Sequence, residues 1–172
     1  ARQLSSLQES IYGLPFAGDA LALVYRPESI PQPPVDWTVT PENSPMLVFP
    51  AADPQALFTL TLYQSNEGPV RDEQGRPMIE TIALTEVLTY YLQAQITGMM
   101  PEVLTQYQSD DQVWESFQDR RTNMAVTWSS RFLSEMAEDL AIAPVPTVDG
   151  QPYTLATGWV WAAPARAFPP FP

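Results

Sequence analysis

Nineteen of the 172 residues are proline, about double the ~5% of ordinary soluble chains. Each removes a backbone donor and fixes φ, so each is excluded from the interior of a helix and the middle of a sheet. Pro27, Pro31, Pro33, Pro34, Pro41 and Pro45 fall together. Residues 26–45 therefore hold no regular helix and are expected to form an ordered surface loop. The length fits one domain at ~150 residues per domain. A chain of this size buries roughly 70% of its unfolded surface, and 45% hydrophobic content supplies a core.

The side-chain inventory excludes most catalytic chemistry. The sequence has no Cys, no His and no Lys, and all eight cations are Arg. Without Cys there is no disulfide, thiol nucleophile or thiolate metal site. Without His there is no Ser-His triad and no imidazole zinc site. Without Lys there is no Schiff base and no Walker lysine. Carboxylate chemistry, oxygen-ligand metals or pure binding remain, and neither a metal nor another cofactor is expected. A net charge of −12 repels nucleic acid and anionic membrane surfaces, so neither is an expected partner. It suits a neutral or cationic ligand, or simply keeps the chain soluble. No apolar run approaches the ~20 residues of a membrane span. The start, Ala1-Arg2-Gln3-Leu4, does not read as a signal peptide. Either the protein is cytoplasmic or the region comes from something longer.

Helices and strands alternate along the chain. Residues 3–10 read as a short helix on Leu4 and Leu7, and Ile11 to Phe16 as an extended crossing segment. Leu21 to Tyr25 is an apolar, buried-type strand ended by Pro27, and Met46 to Phe49 is the next. Asp53-Pro54 reads as an N-cap followed by proline at the first helical position, with a helix to about Ser65. Asp72 to Gly75 forms a turn between two short strands. Leu84, Val87, Leu88, Tyr91 and Leu92 mark an amphipathic helix stopped by Gly98. Ser109 and Gln112 form a capping-box pair ahead of Val113, Trp114 and Phe117. Asn123 to Thr127 is a strand, and Ser129 or Ser130 caps a helix through Phe132, Leu133 and Met136. Leu140 to Ala143 and Thr154 to Ala163 are strands around an Asp149-Gly150 turn. The pattern predicts an α/β fold with a mixed sheet covered by helices. The tail from Ala167 to Pro172 continues no element and resembles a cut end.

Few constellations carry chemistry. Asp110-Asp111 fits the first turn of a helix, where the dipole favours acids. Asp72-Glu73 lies in a turn too sparse in acids for calcium. Glu135, Glu138 and Asp139 read as a solvated helix end, and no glycine-rich phosphate loop is present. Trp128 follows a strand and precedes Ser129-Ser130-Arg131. A Trp there presents its flat face to a ligand while hydroxyls and backbone N–H groups fix orientation. Trp159 and Trp161 share one strand face, which is either core or pocket.

Four segments carry a resemblance to a known family. Tyr12-Gly13-Leu14-Pro15, running through Asp19-Ala20-Leu21-Ala22-Leu23-Val24-Tyr25-Arg26, is similar to a "YGLP…(E/D)-A-L-x-L-x-Y-N" crossover. Pro33-Pro34-Val35-Asp36-Trp37 resembles "PPKTW", and Phe117 to Val126 resembles "F-x-x-G-x-x-A-M-x-I". Ile142-Ala143-Pro144-Val145-Pro146 with Gly158-Trp159-Val160-Trp161-Ala162 resembles "V-A-P-L-P…G-G-W-x-x-A-I". The chain thus resembles the carbohydrate-type extracellular solute-binding proteins of ABC importers, including the maltose-binding type. It departs at Arg120 and Asn123, usually Gly and Ala. It lacks the helix after "PPKTW", and Trp128 stands two places early against an "N-G-x-W" turn.

The resemblance implies a three-layer lobe of mixed sheet and helices, like the type II periplasmic-binding-protein fold. It implies that residues 1–172 are one lobe, the second of a two-lobe clamshell, with the first lobe and final helices absent. By position it implies ligand contacts from Asp19, Gln55, Trp128, Ser129, Ser130 and Trp159, with no catalytic residue. Sugars take carboxylate or amide hydrogen bonds plus an aromatic platform, and this set supplies both; Arg131 would instead recruit an anion. The implied partners are a small-molecule sugar, the missing first lobe and the transmembrane subunits of an ABC permease. The implied location is extracytoplasmic, either periplasmic or lipid-anchored at the outer face of the cell membrane. Two rival expectations stand beside this one. A diverged lobe can serve as an interaction or sensory domain that docks a membrane partner without transport. A glycosidase needs two carboxyls ~5–10 Å apart, for which Asp19 facing Asp53 is the pair to test.

Overall fold

A computed structural model describes residues 6–7, 10–11, 13–38, 46–135 and 137–162. The chain divides into two compact units, Ala1–Ala20 with Ala156–Pro172, and Leu21–Leu155. Strand β3 (Leu14–Tyr25) contributes its first half to one and its second half to the other.

In the smaller unit, β1 (Ser6–Leu7) and β2 (Ser10–Ile11) pair antiparallel. This corrects the expected helix over 3–10. Two leucines in eight residues are too short a pattern to nucleate a helix, and strand pairing satisfies the backbone instead. The first half of β3 pairs antiparallel with β7 (Ala156–Trp161), from Leu14 opposite Trp161 to Ala20 opposite Ala156. The register shifts between Pro15 and Ala17. Pro15 has no N–H for the ladder, and a bulge is where a strand tolerates that loss.

The larger unit is built on the second half of β3. Its Leu21–Tyr25 segment pairs antiparallel with β5 (Met124–Trp128) on one side and with β6 (Ala141–Ala143) on the other. Strand β4 (Leu47–Val48) lies parallel to β5, which gives the order β4-β5-β3-β6. The sheet is mixed, as the alternation predicted. Leu21, Ala22, Leu23 and Val24 are all buried. A strand buried on both faces reads as an unbroken apolar run rather than an alternation, so layers cover both sides. The helices are α1 (Leu57–Ser65), α2 (Thr81–Ile96), α3 (Asp110–Gln118) and α4 (Ser129–Glu135), with a 3₁₀ turn at Glu102–Gln106. Helices α1 and α2 pack on each other, while α3 and α4 pack against β5. Leu23, Leu47, Leu62, Val87 and Phe117 are fully buried in the shared core. No helix among the described residues is long and apolar enough to cross a membrane.

Several local expectations are revised. Asp53 does not cap α1: its carboxylate accepts the Gln55 N–H at 3.0 Å, closing a turn. Ala56 then adopts a left-handed φ of 47°, and the helix starts only at Leu57. Helix α2 exists and stops where Gly98 takes a φ of +78°. Its inward face is Ala83, Val87, Tyr90 and Ala94, while Leu88 is 53% exposed. Val87 of the expected stripe lies on that face and Leu84 and Tyr91 pack against the core, but Leu92 is exposed like Leu88. Ser109 makes no side-chain cap on α3; Gln112 instead accepts the Gln108 N–H at 2.7 Å. Gly150 makes the expected turn, with φ +73°. The strands flanking it do not pair with each other, since β6 and β7 take separate stretches of β3. The Asp72–Gly75 turn is present, but only an isolated bridge, Arg71 to Pro77, flanks it. The loop over 26–38 is pinned where Trp37 stacks on Tyr90 at 5.1 Å and donates Nε1–H to the Pro146 carbonyl. Residues 39–45, Met136 and the tail from Ala163 lie outside the described residues.

Candidate functional site

In the larger unit, Trp128 ends β5, and the chain turns at once into α4, with Ser130 and Arg131 in its first turn. Gln55 stands on the turn before α1, and Ser109 and Asp110 open α3. These elements surround two adjoining cavities. One, of about 250 Å³, is lined by Gln55, Asp53, Phe58, Leu21, Val126 and Trp128 among others. The second, of about 520 Å³, is lined by Trp128, Ser130, Arg131, Ser134 and Asp111. Ser109, Asp110 and Trp128 line both. Three predicted residues, Gln55, Trp128 and Ser130, are thus brought together on continuous concave surface. Ser129 lies between two of them in the chain and is half-buried, but it is not among the residues lining either cavity.

A charged brace holds this corner. The fully buried Thr127 hydroxyl donates to Asp110 Oδ1 at 2.5 Å. Arg131 Nε donates to Asp110 Oδ2 at 2.9 Å, and the same guanidinium pairs with Asp111. Asp110 therefore ties the first turn of α3 to the end of β5 and the first turn of α4. Asp110 also answers the N-terminal dipole of α3, as expected, but that role conceals the second one. Asp110 and Arg131 are separated by 21 residues, and no local pattern couples them.

The other two predicted residues are in the smaller unit. In the β3–β7 ladder Asp19 stands opposite Thr157, and Ala17 opposite Trp159. Side chains alternate between faces, so Asp19 and Trp159 project from the same face of the ribbon on diagonal positions. The Asp19 carboxylate accepts the Ala20 N–H at 2.9 Å. Trp159 and Trp161 are exposed and not in the core, and Trp161 lies 5.0 Å from Phe16. A carboxylate beside an open indole face is a stacking-plus-hydrogen-bond arrangement, like the one Trp128 makes with Gln55 and Ser130. Such an arrangement is chemically suited to a neutral polar ring, whose apolar face an indole can stack on while polar atoms hydrogen-bond its rim.

A family model described as bacterial extracellular solute-binding protein matches residues 1–167. No curated protein sequence matches the chain. Among solved structures, maltose-bound MalE3 of T. maritima is 19% identical with a TM-score of 0.74, over 92% of this chain and 46% of that one. The GacH receptor of Streptomyces glaucescens GLA.O, solved unliganded and with acarbose, is 16% identical with a TM-score of 0.71, over 96% and 47%. A solute-binding protein of Thermotoga lettingae TMO, bound to α-D-tagatose, is 19% identical with a TM-score of 0.69, over 96% and 48%. The chain spans less than half the length of each of these structures.

Proposed function

We propose that this chain, which belongs to the bacterial extracellular solute-binding protein family, binds a carbohydrate for an ABC importer and supplies the second of two lobes that close on it. The observation that carries the reading is Trp128, which walls both cavities beside Gln55, Ser130 and Asp110. A pyranose ring offers an apolar face to the indole and hydroxyls to the amide, serine and carboxylate. Asp19 and Trp159 offer the same pairing on the ribbon. The structural relatives were solved with maltose, acarbose and tagatose, which agrees with a sugar-class ligand.

The site binds without transforming. Its serines have no imidazole to activate them, because the sequence has no His. The Asp53 carboxylate is engaged by its own turn. In a two-lobe protein, ligand stabilises the closed form by touching both lobes, and that form is what the permease subunits read. The protein then works outside the cytoplasmic membrane. One lobe offers half the contacts, so these residues alone bind sugar weakly.

The test is an NMR titration of the ¹⁵N-labelled chain with a panel of mono- and disaccharides that includes maltose. Expected are fast-exchange shifts at the Trp128 indole and the Gln55 and Ser130 amides, lost in Trp128→Ala. Shifts confined to other residues overturn the site. Saturation at low micromolar sugar overturns the one-lobe reading.

A further inference from the structure

We propose that Asp110 and Asp111 set the charge class of the ligand: by occupying Arg131 they close the two cavities to anions. This rests on the reading of those cavities as the solute site. Among the described residues, Arg131 is the only cation lining either of them. A free guanidinium at that position presents a planar fork of N–H donors, the group that recruits phosphates and carboxylates. Here two of the three nitrogens are engaged by carboxylates. Nε donates to Asp110 at 2.9 Å and a terminal nitrogen pairs with Asp111. Asp110 is anchored in turn by the Thr127 hydroxyl, so it cannot swing away without breaking a bond to the sheet.

Two carboxylates against one guanidinium leave the corner locally negative. The Arg131 side chain is 36% exposed and that of Asp111 78%, so the acid is the more open of the two to solvent. The net charge of −12 adds to the repulsion of any anion. A neutral hydroxylated ligand meets no such barrier. An ionised carboxylate accepts up to about four hydrogen bonds, so Asp110 and Asp111 still have capacity for ligand hydroxyls.

The experiment follows the Trp128 indole resonance of the labelled chain through titration with inorganic phosphate, with sodium chloride as the ionic-strength control. The wild type is expected to respond no more to phosphate than to chloride. Asp110→Asn with Asp111→Asn frees Arg131 and is expected to bind phosphate about tenfold or more tighter, the scale of one charge-assisted hydrogen bond. Asp111→Asn alone perturbs only an exposed side chain, keeps the fold, and is expected to shift the same way by less. Equal phosphate response in the wild type and both variants overturns the proposal, as does a folded Asp111→Asn with no gain. A parallel titration with the same mono- and disaccharide panel separates the two readings. Silence across the panel with a phosphate gain overturns the carbohydrate reading and supports the charge gate. A saccharide response without the gain does the reverse.

Discussion

Arg26 and Asp139 form an ion pair whose two halves should not be equally expensive to remove. The Arg26 side chain is 8% exposed and that of Asp139 44%. The guanidinium also donates to the Phe117 carbonyl at 3.2 Å and lies 4.8 Å over the Phe117 ring, while its Nε has no partner. Asp139→Ala leaves that buried charge with one carbonyl and a ring face. Orphaning one half of a fully buried pair costs ~3–5 kcal/mol; the partial exposure of Asp139 admits water and brings the figure to about 2–3 kcal/mol. Arg26→Met removes the buried charge itself and refills the space with an unbranched apolar side chain. Asp139 keeps Arg120 at 3.1 Å, and the Phe117 carbonyl keeps the Arg120 N–H at 3.1 Å. Nothing is then left buried and unpaired, so the cost is about 0–1 kcal/mol. The assay is equilibrium urea unfolding followed by far-UV circular dichroism, with midpoints compared at a common slope. The double variant should match Arg26→Met, because Asp139 has no buried charge left to balance. If Arg26→Met costs more than Asp139→Ala, or the two effects add, the argument from desolvation is wrong.

The same unfolding assay checks three further outcomes. Val87→Ala, on the buried face of α2, should cost about 2 kcal/mol, whereas Leu88→Ala on the exposed face should stay within about 0.5 kcal/mol; the reverse order would refute the inward face described for α2. Ala56→Gly should raise stability by about 0.5 kcal/mol, since Ala56 holds a left-handed φ of 47° that glycine adopts without a Cβ penalty. Glu80 caps α2 by accepting the Ala83 and Ile82 N–H groups, which hold its carboxyl below the ordinary 4.5. Its stabilisation is therefore present above pH 4.5 and lost as pH falls through the lower folded value; Glu80→Gln should flatten that part of the stability profile, and an unchanged profile would refute the cap.

Much of the fold is legible in local pattern. Leu21 to Val24 reads as a doubly buried strand because its burial is a property of consecutive residues. Helix α2, Gly98 and Gly150 are readable because periodicity and a positive φ leave a local mark. The start of α1 is not legible, because Asp53 has two local uses, a helix cap and a turn, and the backbone at Ala56 decides between them. The stripe on α2 is legible at Val87, Leu84 and Tyr91, which bury or pack against the core, but not at Leu88 and Leu92, which stay exposed because a periodic stripe does not show which of its edges the neighbouring elements cover. The resemblance points to Gln55, Trp128 and Ser130 as candidate contacts, and the position of Trp128 after a strand points to it as well. Thr127 is not legible, since a buried threonine in a strand gives no sign that its hydroxyl holds a carboxylate on another element.

The sequence by itself determined the chemistry that is absent and the class of fold. Removing Cys, His and Lys from the inventory excludes reactions whatever the geometry, and hydrophobic periodicity is set residue by residue. Only the tertiary structure decided how the available charges are used. Arg131 reads along the chain as a recruiter of anions; folded, it is paired with Asp110 and Asp111. An ion pair depends on distance in space, and the sheet that carries Thr127 and Trp128 is what closes a separation of 21 residues to 2.9 Å.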